Sequence, residues 1–150
     1  MVGTIQIIVR LIAASVLGGL VGFEREKHNR KIAGFRTHIL VCVSSALIML
    51  TSLYVYEIYK DSGGVDPSRI ASSVLTGIGF LGAGTIIRSS SSVTGLTTAA
   101  SLWTVSGIGL AVGCGFYSAG VVTTIISLVV LYFLRKLPVE QGGGGKNGQT

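Results

Sequence analysis

Side chains able to do chemistry are few in this 150-residue sequence, and their positions limit what it can do. Glu24, Arg25, Arg36 and Arg88 flank long apolar runs, while Thr97, Thr98, Ser101, Thr104 and Ser106 lie inside one. Opposite charges gathered at helix ends would form a paired network, because an unpaired charge near lipid is costly. The hydroxyls could line a path for a hydrated ion. More commonly such groups bond their own i−4 carbonyls or a neighbouring helix. Catalytic groupings are missing: there is no Walker-type loop before a Lys, no H-E-x-x-H, and no Ser with a plausible His partner. His28 and His38 fall beside the basic hairpin with no intramembrane acid near them. The reading is therefore non-enzymatic.

No Asp or Glu lies within any apolar run. Carriers coupled to protons or cations usually keep a carboxylate near the bilayer midplane. Mg²⁺ prefers six oxygen ligands and sheds its water reluctantly. No cofactor and no metal site is assigned, and binding of Mg²⁺ stays open. Cys42 and Cys114 both sit in apolar runs, where they read as small buried hydrophobes rather than as a disulfide or metal pair.

The elements that must hold these residues follow from composition. Only 12% of residues are charged, 49% are hydrophobic, and the mean hydropathy is +0.69. A soluble domain carries about 25% charged residues, so lipid is the natural solvent here. A bilayer core of about 30 Å needs about 20 apolar residues in helical form. Five segments qualify: 2–23, 37–56, 70–87, 96–112 and 117–134. The uncharged stretch between Arg88 and Arg135 is too long for one span and divides at Gly113-Cys114-Gly115. The fold class is all-α membrane protein, one helical domain over 1–136 with a Gly-rich disordered tail over 137–150. The first segment lacks a cleavage site before Glu24 and reads as a retained helix.

Orientation follows from Lys and Arg. Arg25, Lys27, Arg30, Lys31 and Arg36 crowd the first loop, and Arg135, Lys136 and Lys146 follow the last span. The second loop carries Glu57, Asp61 and Asp66 against Lys60 alone. The N-terminus is thus expected outside and the C-terminus in the cytoplasm. The net charge of +6 reflects topology, not nucleic-acid binding. Asp66-Pro67 predicts the start of the third helix. Thr94-Gly95 or the serines before it should cap the fourth. Arg10 is expected to snorkel outward.

Small residues recur inside the spans. Gly18 with Gly22 and Gly109 with Gly113 form small-xxx-small pairs, and Gly77, Gly79, Gly82 and Gly84 crowd the third helix. Each Gly costs about 1 kcal/mol of helix propensity against Ala. The penalty predicts close helix packing, or else a broken helix whose carbonyls line a cavity.

Five strings occur in one order: Gly22-Phe23-Glu24-Arg25-Glu26, Ala33-Gly34-Phe35-Arg36-Thr37, Asp66-Pro67-Ser68-Arg69-Ile70, Gly77 to Gly84, and Gly95 to Trp103. The series resembles the MgtC/SapB family of bacterial inner-membrane proteins, from about Val16 to Tyr117. The resemblance implies a multi-pass plasma-membrane protein tied to magnesium homeostasis and, in pathogens, to virulence and survival in host cells. It implies regulation of other membrane complexes, such as another transporter or ATP synthase, with magnesium transport as the alternative. Many members add a C-terminal ACT-like cytoplasmic domain, and the sequence ends before one. The motif residues that carry over are Glu24, Arg25, Arg36, Thr37, Asp66, Arg69, the third-helix glycines, Thr97, Thr98 and Trp103. A polar cluster of Glu24, Arg25, Arg36, Thr37, Arg88, Thr97 and Thr98 is expected at the cytoplasmic face, closed over by the third helix. Lipid and a second copy, as a homodimer or larger homo-oligomer, are the expected partners.

Overall fold

The computed structural model describes residues 2–27, 33–90 and 92–133. His28, Arg30, Lys31, Arg135, Lys136, Lys146 and the predicted tail lie outside the described residues. Five helices follow in order: α1 (Thr4–Lys27), α2 (Phe35–Tyr59), α3 (Pro67–Gly84), α4 (Leu96–Cys114) and α5 (Tyr117–Phe133). Of these, α1, α2 and α4 are each long and apolar enough to cross a bilayer, and α5 is a shorter apolar helix. The chain is an all-α membrane protein.

Large apolar side chains cover the outside. Ile5, Ile8, Ile12, Val16 and Leu20 all point away from the bundle along α1. The interior is built instead from small residues, because only they let backbones meet. A Cβ on Gly18 would stand 2.5 Å from the Cys42 Cβ, and one on Gly22 would stand 2.9 Å from Phe35 Cα. Across the bundle, a Cβ on Gly109 would collide with the Cys42 carbonyl, and one on Gly113 would lie 2.6 Å from the Ala46 carbonyl. Helix α2 is thus clasped between α1 and α4 through two glycine pairs. Val21, Ala46, Leu102, Val105, Ile108 and Val112 complete the core.

The third helix is held differently. Its N-terminus is as predicted: Asp66 is the N-cap, with Oδ1 accepting from the Ser68 N–H at 2.8 Å, and Pro67 opens the helix. The Ser68 side chain and backbone, in that order, hold the Asp66 carboxyl below its usual range. Only Val74, Ile78 and Gly82 are buried along α3, a single stripe four residues apart. Gly82 packs on Ala99, whereas a Cβ on Gly77, Gly79 or Gly84 would meet nothing within 4 Å. The helix is nevertheless unbroken through Gly84. Most of its glycines therefore serve neither close packing within the chain nor a broken backbone.

Helix α3 ends at Gly84, and the chain turns into a short hairpin in which Ile87–Arg88 (β1) pairs antiparallel with Val93–Thr94 (β2). The N-cap of α4 is Gly95, the second residue of the predicted Thr94-Gly95 pair, at φ +90° and with no side-chain cap from Thr94 or the serines. Any Cβ there would also strike the Thr85 carbonyl. At the far end Gly115, at φ +93°, closes α4 as expected from the Gly-Cys-Gly break. Cys42 is buried but Cys114 is exposed, which corrects its reading as a buried hydrophobe.

These contacts make opposite predictions for two glycines. Gly109→Ala should lower stability by about 1–3 kcal/mol through overpacking. Gly77→Ala, which enters open space, should raise it by up to about 1 kcal/mol through helix propensity. Thermal unfolding of the purified protein in mild detergent reads both. Asp66 should contribute stability above its unfolded pKa and lose it as pH falls through the lower folded value. Asp66→Asn, which keeps the cap, should remove that acid-side dependence of the melting temperature.

Candidate functional site

Five chain segments reach one end of the bundle: the close of α1, the start of α2, the close of α3 with its hairpin, the start of α4 and the close of α5. This basic end holds a buried polar network. Arg25 is 3% exposed, one turn beyond the Gly22 contact, and its Nη2 donates to Thr98 Oγ1 at 2.5 Å. Thr98 occupies the first turn of α4 and is itself buried. The bond therefore joins α1 to α4 across 73 positions of sequence.

His38, fully buried on α2, supplies the third side. Its Nδ1 lies 2.8 Å from the Gly34 carbonyl, which can only accept, so Nδ1 carries a proton. In the neutral ring Nε2 is then the acceptor for the Ser101 hydroxyl, 3.0 Å away. Ser101 Oγ also lies 2.8 Å from the Thr98 carbonyl. One hydroxyl proton thus faces two acceptors, and Thr98 links both halves: its side chain receives Arg25 and its carbonyl receives Ser101. The network ties α1, α2 and α4 together at the end where the glycine clasp brings them closest.

Glu26 lies on the exposed side of the same end. Its Oε2 accepts from the Phe35 N–H at 2.8 Å, which places a carboxylate on the positive end of α2. Phe23 and Phe35 meet edge to face with centroids 6.4 Å apart, fixing the same turn.

At the opposite end Arg10 is held by the end of another helix. Its Nη1 donates to the Gly113 carbonyl at 2.8 Å, so the guanidinium caps the negative end of α4. That helix end offers carbonyls with no partner in the helix, and the charge meets one of them.

The expected cluster divides. Arg25 and Thr98 are inside and bonded, and Glu24 is half-buried beside them in sequence. Arg36, Thr37, Arg88 and Thr97 are exposed at the same end and do not join the network. Asp66 caps α3, and Arg69 is exposed one turn on. Gly77, Gly79 and Gly84 touch no other helix and Trp103 is exposed, so of the four α3 glycines only Gly82, against Ala99, packs beside the network. His38 and Ser101 were missed as partners, although a polar residue four positions after Gly34 and one three after Thr98 share a turn with motif positions. Of the remaining α4 hydroxyls, Thr104 and Ser106 bond the carbonyls of Ala100 and Trp103, the local use expected of them.

The sequence pattern of the MgtC family matches residues 11–139, which contains both glycine pairs and the whole buried network. The chain belongs to the MgtC family. Among its relatives, YhiD of Escherichia coli, whose name marks it as a candidate magnesium transporter, is 42% identical over 89% of this chain and 63% of its own length. Protein MgtC of Brucella abortus is 42% identical over 85% of this chain and 50% of its own. Protein MgtC of Salmonella choleraesuis is 41% identical over 91% and 58%. The chain therefore spans about half to two thirds of these curated relatives. No solved structure matches it. Among the described residues no group of three or more His, Cys, Asp or Glu could hold a metal ion.

In this family member the Arg25–Thr98 bond should be the most sensitive point of the site. Thr98→Val keeps the shape but removes the acceptor that Arg25 Nη2 uses, and should cost about 1.5–3 kcal/mol. Arg25→Lys should not rescue what Arg25→Ala loses, since a point charge on a flexible stem does not reproduce the planar fork. Melting temperatures of the three variants in detergent test the ranking.

Proposed function

We propose that this chain is the membrane part of a bacterial plasma-membrane protein of magnesium homeostasis. In this reading it spans the bilayer five times, with the N-terminus outside and the C-terminus in the cytoplasm. It acts as a non-enzymatic regulator of other membrane complexes, a transporter or an ATP synthase, when magnesium is scarce or the cell survives within a host. Membership of the MgtC family and the magnesium-related name of a relative support the magnesium role.

One observation carries regulator over carrier. The centre of the bundle is filled: α2 meets α1 and α4 at backbone distance, and Arg25, Thr98, His38 and Ser101 occupy the polar end of that seam. A solute path through this seam would have to part both glycine pairs. The outward face of α3, with Ser72, Thr76 and Gly79 exposed, offers instead the small-residue surface that membrane helices use to meet a partner or a second copy. Transport of Mg²⁺ is the second reading, favoured by the name of the Escherichia coli relative.

Cells lacking the protein and complemented with Glu24→Ala or Arg36→Ala should fail to grow in low magnesium while protein levels hold. Growth equal to wild type in both would reduce the basic end to scaffolding. Saturable Mg²⁺ uptake into liposomes containing this protein alone would replace the regulatory reading with the transport one.

A further inference from the structure

Between α2 and α3 a groove of about 460 Å³ opens on the outside of the bundle. Its walls are mainly apolar, with Leu40 and Ile48 on α2 and Ile78 and Leu81 on α3, and Gly77 forms part of its floor. Along α2 its lining runs from Thr37, at the basic end, to Ile48. At 1.5 Å per residue that reach is about 16 Å, half of a hydrocarbon core of about 30 Å. One turn beyond Ile48 the groove is closed: the buried Ser52 hydroxyl donates to the Pro67 carbonyl and locks α2 to the start of α3.

The mouth is cationic. Arg36 precedes Leu40 by one helical turn on the same face, and Arg88 sits in the hairpin that continues α3 at that end. Both are exposed, and neither guanidinium makes a hydrogen bond or ion pair among the described residues. The Thr37 hydroxyl beside them is likewise unused.

We propose that this groove is a binding site for one anionic phospholipid. An acyl chain lies between α2 and α3, the phosphate sits on Arg36 with Arg88 beside it, and the Thr37 hydroxyl donates to an ester oxygen. A blind groove one leaflet deep fits an acyl chain, whereas a partner helix would need a groove running the full thickness of the membrane. The free guanidiniums select the headgroup, as basic pockets between membrane helices do. The small side of Gly77 acquires a purpose, since any larger residue would fill the channel. The site is distinct from the buried Arg25–His38 network and does not rest on the regulatory reading.

The test is native mass spectrometry of the full chain, extracted in mild detergent from vesicles of equal phosphatidylglycerol and phosphatidylcholine. Wild type should retain one phosphatidylglycerol severalfold over phosphatidylcholine. Arg36→Gln should bring the retained ratio down to that of the vesicle. Gly77→Leu, which enters open space and leaves the fold intact by circular dichroism, should lose the bound lipid. Equal retention of both lipids by wild type, unchanged retention in Gly77→Leu, or a second protein chain in place of lipid would each overturn the proposal.

Discussion

Backbone-to-backbone contact between α2 and its two neighbours is the constraint on which the other features depend. Without water in the bilayer core, apolar side chains gain nothing by leaving lipid for protein, so association must come from close contact and hydrogen bonds. Gly18 and Gly22 on one side and Gly109 and Gly113 on the other remove the side chains that would hold the helices apart. Close approach then gives dispersion contact along the whole seam. It also excludes lipid from the polar groups at one end.

The buried network is a consequence of that approach. A guanidinium at 3% exposure is tolerable only if its charge meets acceptors held in place, and Thr98 is held by the first turn of α4. His38 and Ser101 extend the same logic to α2. With partners on three helices, the end of the bundle behaves as one unit: moving α4 would take the acceptor from Arg25 on α1 and the hydroxyl from His38 on α2. Glu26 and Arg10 act alike at helix ends, each placing its charge against the dipole of a different helix. In both cases the sequence carries an ionisable residue near lipid, and the fold supplies an oppositely polarised backbone terminus.

The division of the basic end into an inner and an outer set gives its residues separate work. Arg25 and Thr98 bind the helices to one another, whereas Arg36, Thr37 and Arg88 face outward beside the α2–α3 groove. Helix α3 belongs to the outer set. One stripe of three buried residues and the Ser52–Pro67 bond join it to the bundle, and much of its remaining surface, with Phe80 at 83% exposure, is available to lipid or to another helix.

Much of this was legible from residue types alone. Apolar runs uninterrupted by charge dictate helices in lipid, because every backbone group must be satisfied within its own segment. Asp66-Pro67 marks the start of α3 through local capping chemistry, and Gly115 ends α4 through its left-handed backbone. The Gly109–Gly113 spacing announces a close neighbour, though not which helix supplies it. What tertiary structure decided is everything that depends on which faces meet. Four glycines in α3 looked like packing residues, yet three touch no other helix, since propensity and spacing say nothing about a helix's rotation about its axis. Arg10 looked free to reach water and instead found the end of α4, a partner 103 positions away in sequence. His38 and Ser101 carry no pattern that pairs them; only the approach of α2 to α4 puts an imidazole nitrogen within 3.0 Å of that hydroxyl.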